Sequence, residues 1–302
     1  MLSYDMLEKY YLAPSYGIEF CIGFPGNLLV VLGYIFCLQE WQSYNIYLFN
    51  LAVSDLIFLC TLPRLSYLYA NGQSETSPYA CISNRYVLHV NLYSSILFMV
   101  WLSMDRFLLI RYPTRTHYLQ SQRSALIITG LSWLAVNVEV APMIALMTQD
   151  LQNENLSLCK DFASLNGDIN PFGYSLGLTM TGYILPLLGL CGFSYKIAKC
   201  YRPLRVVRSA AAMFLVLYTP YHLLRNVRIA SLQPWAELRL CTKMYIESLY
   251  IMSRPLAFLH SVINPVFYFF MGDKFRVLLL SKLRKLVRKP KLQRESTLTI
   301  SP

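Results

Sequence analysis

Apolar residues in this chain gather into long runs separated by short polar connections, with little of the strict alternation that a half-buried strand would show. Seven windows, near residues 14–37, 44–69, 79–110, 124–147, 170–199, 205–230 and 244–271, are predominantly apolar. Each reaches the roughly 20 residues that a helix needs to cross about 30 Å of hydrocarbon. Backbone amides in lipid must be bonded within a helix or around a closed barrel, and windows of this length exclude barrel strands. The pattern therefore predicts an all-α membrane protein, a single seven-transmembrane helix bundle spanning 14–271. An extracellular N-terminal segment, 1–13, precedes it, and a cytoplasmic segment, 272–302, follows. Within the latter, Asp273 to Leu280 separates apolar from basic residues, which predicts a short amphipathic helix lying in the membrane interface.

Composition supports lipid as the main solvent, since 55% of the residues are apolar and only 14% are charged, too few ionic groups to cover a soluble globule of 302 residues. The distribution of the 27 Lys and Arg residues sets orientation. Arg106, Arg111, Arg115 and Arg123, then Lys196, Lys199, Arg202, Arg205 and Arg208, and the basic run from Lys274 to Arg294 all fall on one side of the bundle. Cations of short loops are retained on the cytoplasmic side, so the C-terminus is expected in the cytosol and the N-terminus outside the cell. The net charge of +11 is mainly this topology signal. It calls for contact with anionic lipid, not nucleic acid. The first 13 residues lack a basic flank before an apolar stretch, so the first helix is expected to act as signal anchor.

Four of the eight cysteines, Cys21, Cys37, Cys60 and Cys191, fall in apolar windows and read as small core residues. Cys81, at the head of the third helix, and Cys159, in the loop before the fifth, lie on the outer side where oxidation is allowed, and are expected to be bridged. Cys241 is left over. Asn155-Leu156-Ser157 in the same outer loop is a glycosylation sequon, in agreement with the topology. Ser296, Thr297, Thr299 and Ser301 in the basic tail are candidates for phosphorylation, which would suit arrestin binding.

The chemistry lies in polar groups at membrane depth. Asp55 is an acid in the middle of an apolar window, where charge costs at least about 2.5 kcal/mol, so it must face the bundle interior and a partner, with Ser95 and Asn264 as candidates. Pro186, Pro220 and Pro265 each delete a helix hydrogen bond and create hinges. Arg85 and His89 share one face of the third helix. Arg225 and Arg228 neighbour each other on the sixth, and Arg254 lies at similar depth on the seventh. Arg grips carboxylate bidentately, so guanidiniums on opposite helices suit a small dianion. The alternative is that they snorkel outward or pair with Asp161, Glu237 or Glu247. No metal cluster, phosphate-cradling loop or nucleophile–base spacing points to an enzyme, and no cofactor is called for.

Gly26-Asn27, Asn50-Leu51-Ala52-Val53-Ser54-Asp55, Asp105-Arg106-Phe107, Trp133, Pro186, Thr219-Pro220-Tyr221 and Asn264-Pro265-Val266-Phe267-Tyr268 stand in order on successive helices. On these motifs the chain resembles the rhodopsin-like G-protein-coupled receptors. In the outer half it is similar to the branch that recognises carboxylates and nucleotides. The resemblance implies a receptor for an extracellular dicarboxylate such as succinate that signals through a heterotrimeric G protein. It implies that Arg85, His89, Arg225 and Arg254 ligate the dianion, that Tyr16, Tyr69 and Phe258 line the pocket, and that Asp161 acts as a lid. Asp105, Arg106, Asn264, Pro265 and Tyr268 would form the G-protein coupling switch, and Asp55, Ser95 and Asn264 the place where this class commonly holds sodium. Some positions depart from the pattern: His260 stands where Asn is expected, Ser194 where Tyr is usual, Glu75 adds an acid near a cationic mouth, and only Lys199 to Arg202 separate Ala198 from Pro203. Such departures keep open a receptor-like binding protein that has lost coupling. A receptor for a related anion such as 2-oxoglutarate is the other alternative.

Overall fold

A computed structural model describes residues 6–112, 117–153, 159, 161–162, 170–200 and 211–271, with side chains except those of 153, 194, 196–200 and 267–271. The Asn155 sequon, the Lys199 to Pro203 connection, the side chains of Ser194 and Tyr268, and the expected C-terminal amphipathic helix and tail lie outside the described residues.

The described chain forms seven helical rods. The first, α1, spans Glu8–Cys37; α2 spans Ser43–Ala70 and α3 Pro78–Arg111. Then come α4, Gln122–Asn153, and α5, built from Pro171–Thr179, a π-helical turn Met180–Ile184 and Leu185–Cys200. The next, α6, is a π-helical turn Phe214–Tyr218 followed by Thr219–Leu232. The last, α7, comprises Leu240–Phe258 and His260–Met271, interrupted at Leu259. The five rods α1 to α5 contain stretches long and apolar enough to cross a membrane. Neighbouring rods close into a ring in which α7 returns to α1, and α3 packs against α2, α4 and α5.

Local sequence explains the starts and breaks. Ser77 and Asn170 cap α3 and α5, accepting from the Ala80 amide at 3.4 Å and the Phe172 amide at 3.0 Å, with Pro78 and Pro171 filling the first helical position, where no amide hydrogen is needed. Each π-turn ends just before a proline, Pro186 in α5 and Pro220 in α6. The missing proline amide is accommodated by a locally wider turn. The first rod begins six residues before the expected window, because Leu12 and Ala13 are buried and the Tyr11 hydroxyl donates to the Met252 carbonyl of α7 at 3.0 Å.

Outward faces are apolar: Ile127, Leu131, Leu134 and Val138 form an exposed stripe along α4, the spacing of one helical face. Lipid offers apolar side chains no drive to associate, so polar ties between rods carry much of the specificity, each worth about 0.6 kcal/mol on average. Trp133 Nε1 donates to Asn50 Oδ1 at 3.0 Å, Trp101 Nε1 to Ser132 Oγ at 2.9 Å, the Tyr86 hydroxyl to Asn137 Oδ1 at 2.6 Å, and Asn27 Nδ2 to the Ser261 carbonyl at 2.8 Å. Of the motif residues, Asn27, Asn50 and Trp133 thus act as inter-rod hydrogen-bonding groups.

Small residues set the closest approaches. A Cβ at Gly182, in the α5 π-turn, would sit 2.5 Å from Tyr93 Cδ1 and 3.1 Å from Glu139 Oε1. Gly182→Ala is therefore expected to push the Tyr93 ring out of place and cost about 1–3 kcal/mol, read as a lowered thermal unfolding midpoint of the purified protein. An unchanged midpoint would contradict this packing.

Candidate functional site

One end of the bundle is organised by a disulfide. Cys81, in the first turn of α3, is bridged to Cys159, with a Cα–Cα distance of 5.8 Å. Two residues on, Asp161 is thereby held over the head of α3, and Phe162 follows it, fully buried. Cys241 is a free, exposed thiol.

Asp161 is the meeting point. Its Oδ1 lies 3.2 Å from Arg85 Nη1 and 3.8 Å from Arg254 Nη2, while the Tyr250 hydroxyl donates to its Oδ2. The Tyr69 hydroxyl accepts from Arg254 Nη2 at 3.1 Å and from Arg85 Nη2 at 3.4 Å, so one phenol and one carboxylate bridge cations from α3 and α7. Burial alone would raise the Asp161 carboxyl, but the Arg254 and Arg85 guanidiniums and the Tyr250 hydroxyl outweigh it and hold the group well below the usual carboxylate range. Beside this cluster opens a cavity of about 210 Å³, lined among others by Tyr69, Asn84, Arg85, Asp161, Glu247 and Arg254. Arg85 Nη1 is spent on Asp161, whereas the Tyr16 hydroxyl, behind Tyr69, is buried without a hydrogen bond among the described residues. An unspent hydroxyl of this kind asks for a ligand or water.

Arg225 occupies a separate seat. It is fully buried and donates from Nη1 to the Tyr93 hydroxyl at 2.8 Å, from Nε to Ser175 Oγ at 3.1 Å and from Nη2 to Thr179 Oγ1 at 3.1 Å. Its guanidinium lies 5.5 Å from the ring centroids of both Phe162 and Tyr221. All its hydrogen-bonding partners are neutral. His89 donates from Nδ1 to the Arg85 carbonyl at 2.8 Å, which leaves Nε2 facing the Tyr221 hydroxyl at 3.5 Å, and its ring stands edge-on to Phe162 at 5.4 Å.

The sequence-derived set thus divides. Arg85, Arg254, Asp161 and Tyr69 converge, with Tyr16 stacked at a tilt on Tyr69, ring centroids 6.1 Å apart. Arg225 and His89 sit against Phe162, outside the lining of the cavity, and Phe258 packs in the core against Phe58 and Tyr221. The alternative reading of pairing with protein acids holds for Arg85 and Arg254 through Asp161, and for Arg228, which pairs with Glu247. Glu237 stays exposed. Glu75 does not add a free acid to the mouth, because Arg64 clasps it, Nη2 to Oε1 at 2.7 Å, and holds its carboxyl below the ordinary value. Sequence reading missed Phe162, Tyr250 and Tyr93. Only Phe162 carried a signal, its place three residues after Cys159.

At the opposite end, the Ser43 hydroxyl donates to Asp105 Oδ1, Arg106 Nη2 lies 3.7 Å from Asp105 Oδ2, and the Arg106 guanidinium covers the Tyr44 ring at 4.1 Å. Between the two ends Asp55 is fully buried and ringed by donors: Asn264 Nδ2 at 2.7 Å, Ser261 Oγ at 2.9 Å, Asn91 Nδ2 at 3.0 Å and Ser95 Oγ at 3.4 Å. Pro265 follows Asn264, and its Cγ would lie 3.1 Å from a Cβ at Gly26.

This closed ring of seven rods, with Asp105-Arg106 at one end and the bridged α3 head at the other, is the arrangement of a membrane receptor, and residues 26–268 match the 7 transmembrane receptor (rhodopsin family) model. The chain belongs to that family and is a multi-pass membrane protein. It is 47% identical to Succinate receptor 1 of Rattus norvegicus over 93% of this chain and 92% of that one. Identity to Succinate receptor 1 of Mus musculus is 46% over the same shares. The 2-oxoglutarate receptor 1 of Rattus norvegicus is 32% identical over 91% of this chain and 84% of its own length.

Replacing Asp161 by Asn leaves two buried guanidiniums without a carboxylate and is expected to destabilise the ligand-free protein by about 3 kcal/mol or more. The depressed carboxyl contributes stability that is complete above its unfolded value of about 3.9 and is lost as pH falls toward the lower folded value. The gap in unfolding midpoint between native and Asp161→Asn proteins should therefore stay constant from about pH 5 to 8. A gap that closes within that range would contradict the pairing.

Proposed function

We propose that this chain is a cell-surface receptor for extracellular succinate that activates a heterotrimeric G protein. The observation that carries the reading is the convergence of Arg85 and Arg254 on a single carboxylate beside the cavity, in a chain nearly half identical to receptors named for succinate. Arg85 and Arg254 share the single carboxylate of Asp161, and Arg225 is hydrogen-bonded to neutral groups with Glu139 in its field, which leaves net positive charge for an anionic ligand.

One ligand carboxylate meets Arg85 and Arg254 in a charge-assisted contact, with the Tyr69 hydroxyl free to donate its own hydrogen. The other reaches toward Arg225 and His89, for which Phe162 must shift. Succinate thereby gains contacts in one state that it lacks in the other, the condition for a ligand to move an equilibrium. The Asp105–Arg106 pair and the Asn264-Pro265-Tyr268 segment carry the change to the cytoplasmic end, where Arg106 exchanges its contacts for the G protein. The N-terminus and the disulfide lie outside the cell, Asn155 bears a glycan, and 272–302 forms the interfacial helix on lipid and the tail for arrestin.

In cells at matched surface expression, succinate should drive G-protein activation, and Arg254→Ala and Arg225→Ala should each reduce its potency about a hundredfold or more. Equal potency in the variants removes these residues from the site. Higher potency of 2-oxoglutarate reassigns the ligand, and succinate binding without activation of any G protein refutes the signalling role.

A further inference from the structure

At the end of the bundle away from the disulfide, the first turn of α2 meets both members of the Asp105-Arg106 pair with two consecutive side chains. The Ser43 hydroxyl donates to Asp105 Oδ1, and Tyr44, the next residue, presents its ring to the Arg106 guanidinium, whose central carbon lies over it, 4.1 Å from the ring centroid. A cation in that position is attracted by the negative face of the ring. The contact with Asp105 is looser. Arg106 Nη2 stands 3.7 Å from Asp105 Oδ2, an ion pair beyond hydrogen-bond reach, and Nε makes no hydrogen bond among the described residues. The Arg106 side chain is only 15% exposed, so the ring replaces water that the guanidinium has lost. The start of a helix is the positive end of its dipole and favours the Asp105 carboxylate over a cation. What the first turn of α2 offers Arg106 is therefore the aromatic face of Tyr44.

We propose that Tyr44 is a positioning residue for coupling: its ring holds Arg106 against α2 in the resting receptor and so sets how often that arginine is free to meet a G protein. The inference rests on the reading that Arg106 exchanges its contacts for the G protein, and adds the side chain that retains it until then. The ring face does this, and the hydroxyl is not required. A contact made in the resting state and given up in the coupled one weights the balance between them by its own strength. A cation–π contact worth about 1 kcal/mol is an equilibrium factor of about five.

The experiment compares Tyr44→Leu, which removes the ring, with Tyr44→Phe, which keeps it, in the full chain at matched surface expression. Without succinate, Tyr44→Leu should raise basal G-protein activation about fivefold over the native receptor, and Tyr44→Phe should match the native receptor. Unchanged or lower basal activation in a Tyr44→Leu receptor that still answers succinate would overturn the proposal, as would an equal rise in both variants. If Tyr44→Leu does not reach the surface, Tyr44→Met is measured in its place under the same criteria. The contact is also read apart from signalling, from unfolding midpoints of the purified chain. Tyr44→Leu should lower the midpoint by about 1–2 °C more in the native background than in Arg106→Gln, with no such difference for Tyr44→Phe. Equal losses in the two backgrounds would deny the contact. A native receptor that activates no G protein refutes the coupling reading instead, and the midpoints then decide whether Tyr44 holds Arg106.

Discussion

A guanidinium between membrane helices is tolerated only where the protein supplies an opposite charge and enough acceptors to replace its water. Arg85 and Arg254 are both almost fully buried, and everything at the disulfide end of the bundle follows from satisfying them. The loop after α4 is pinned by Cys81–Cys159 so that Asp161 can reach both cations, and Tyr69 and Tyr250 turn their hydroxyls toward the cluster. Remove the bridge, and only the two ion pairs and the Tyr250 hydroxyl hold the carboxylate over the head of α3. Remove the carboxylate, and two like charges face each other across the cleft.

Arg225 is handled by different means, with neutral acceptors and aromatic faces only. Its seat depends on α5: Ser175 and Thr179 stand just before the π-turn, and Gly182 within that turn lets the Tyr93 ring lie close enough to accept from the guanidinium. Local backbone irregularity and a missing side chain are thus what allow a cation to be held by neutral acceptors, with Glu139 the acid in its field. Phe162 separates this seat from the Asp161 cluster. The site is thus two cationic stations divided by one ring, and a small dianion long enough to bridge them would couple the two. Separate buried polar clusters lie around Asp55 and at the Asp105–Arg106 pair toward the other end.

The seven rods were legible because a membrane leaves so few solutions: apolar runs of sufficient length can only be helices, and motif residues such as Asn50 and Trp133 proved to be each other's partners. Asp55 announced a buried partner by its cost in lipid, and Asn264 and Ser95 are among its donors. The division of the arginines was not legible. Helical spacing tells which residues share a face, but it cannot say that Asp161, from a loop, will reach Arg85 and Arg254 while Phe162 screens Arg225. Glu75 misled for the same reason: its partner Arg64 lies eleven residues earlier, across a turn whose shape is set by packing. The early start of α1 was hidden because the polar and aromatic residues of its first turns do not form an apolar run, although Tyr11 ties them to α7.

The central claim is that the site holds net positive charge and is therefore selective for a dianion. The most direct test compares equilibrium binding of succinate and of succinamate, which has nearly the same shape but carries an amide in place of one carboxylate, to the purified receptor. Binding weaker by about a hundredfold or more is expected for succinamate, since one buried cation is then left without its charge partner. Equal affinities would contradict the account, showing that one carboxylate suffices and that the arginines are satisfied within the protein.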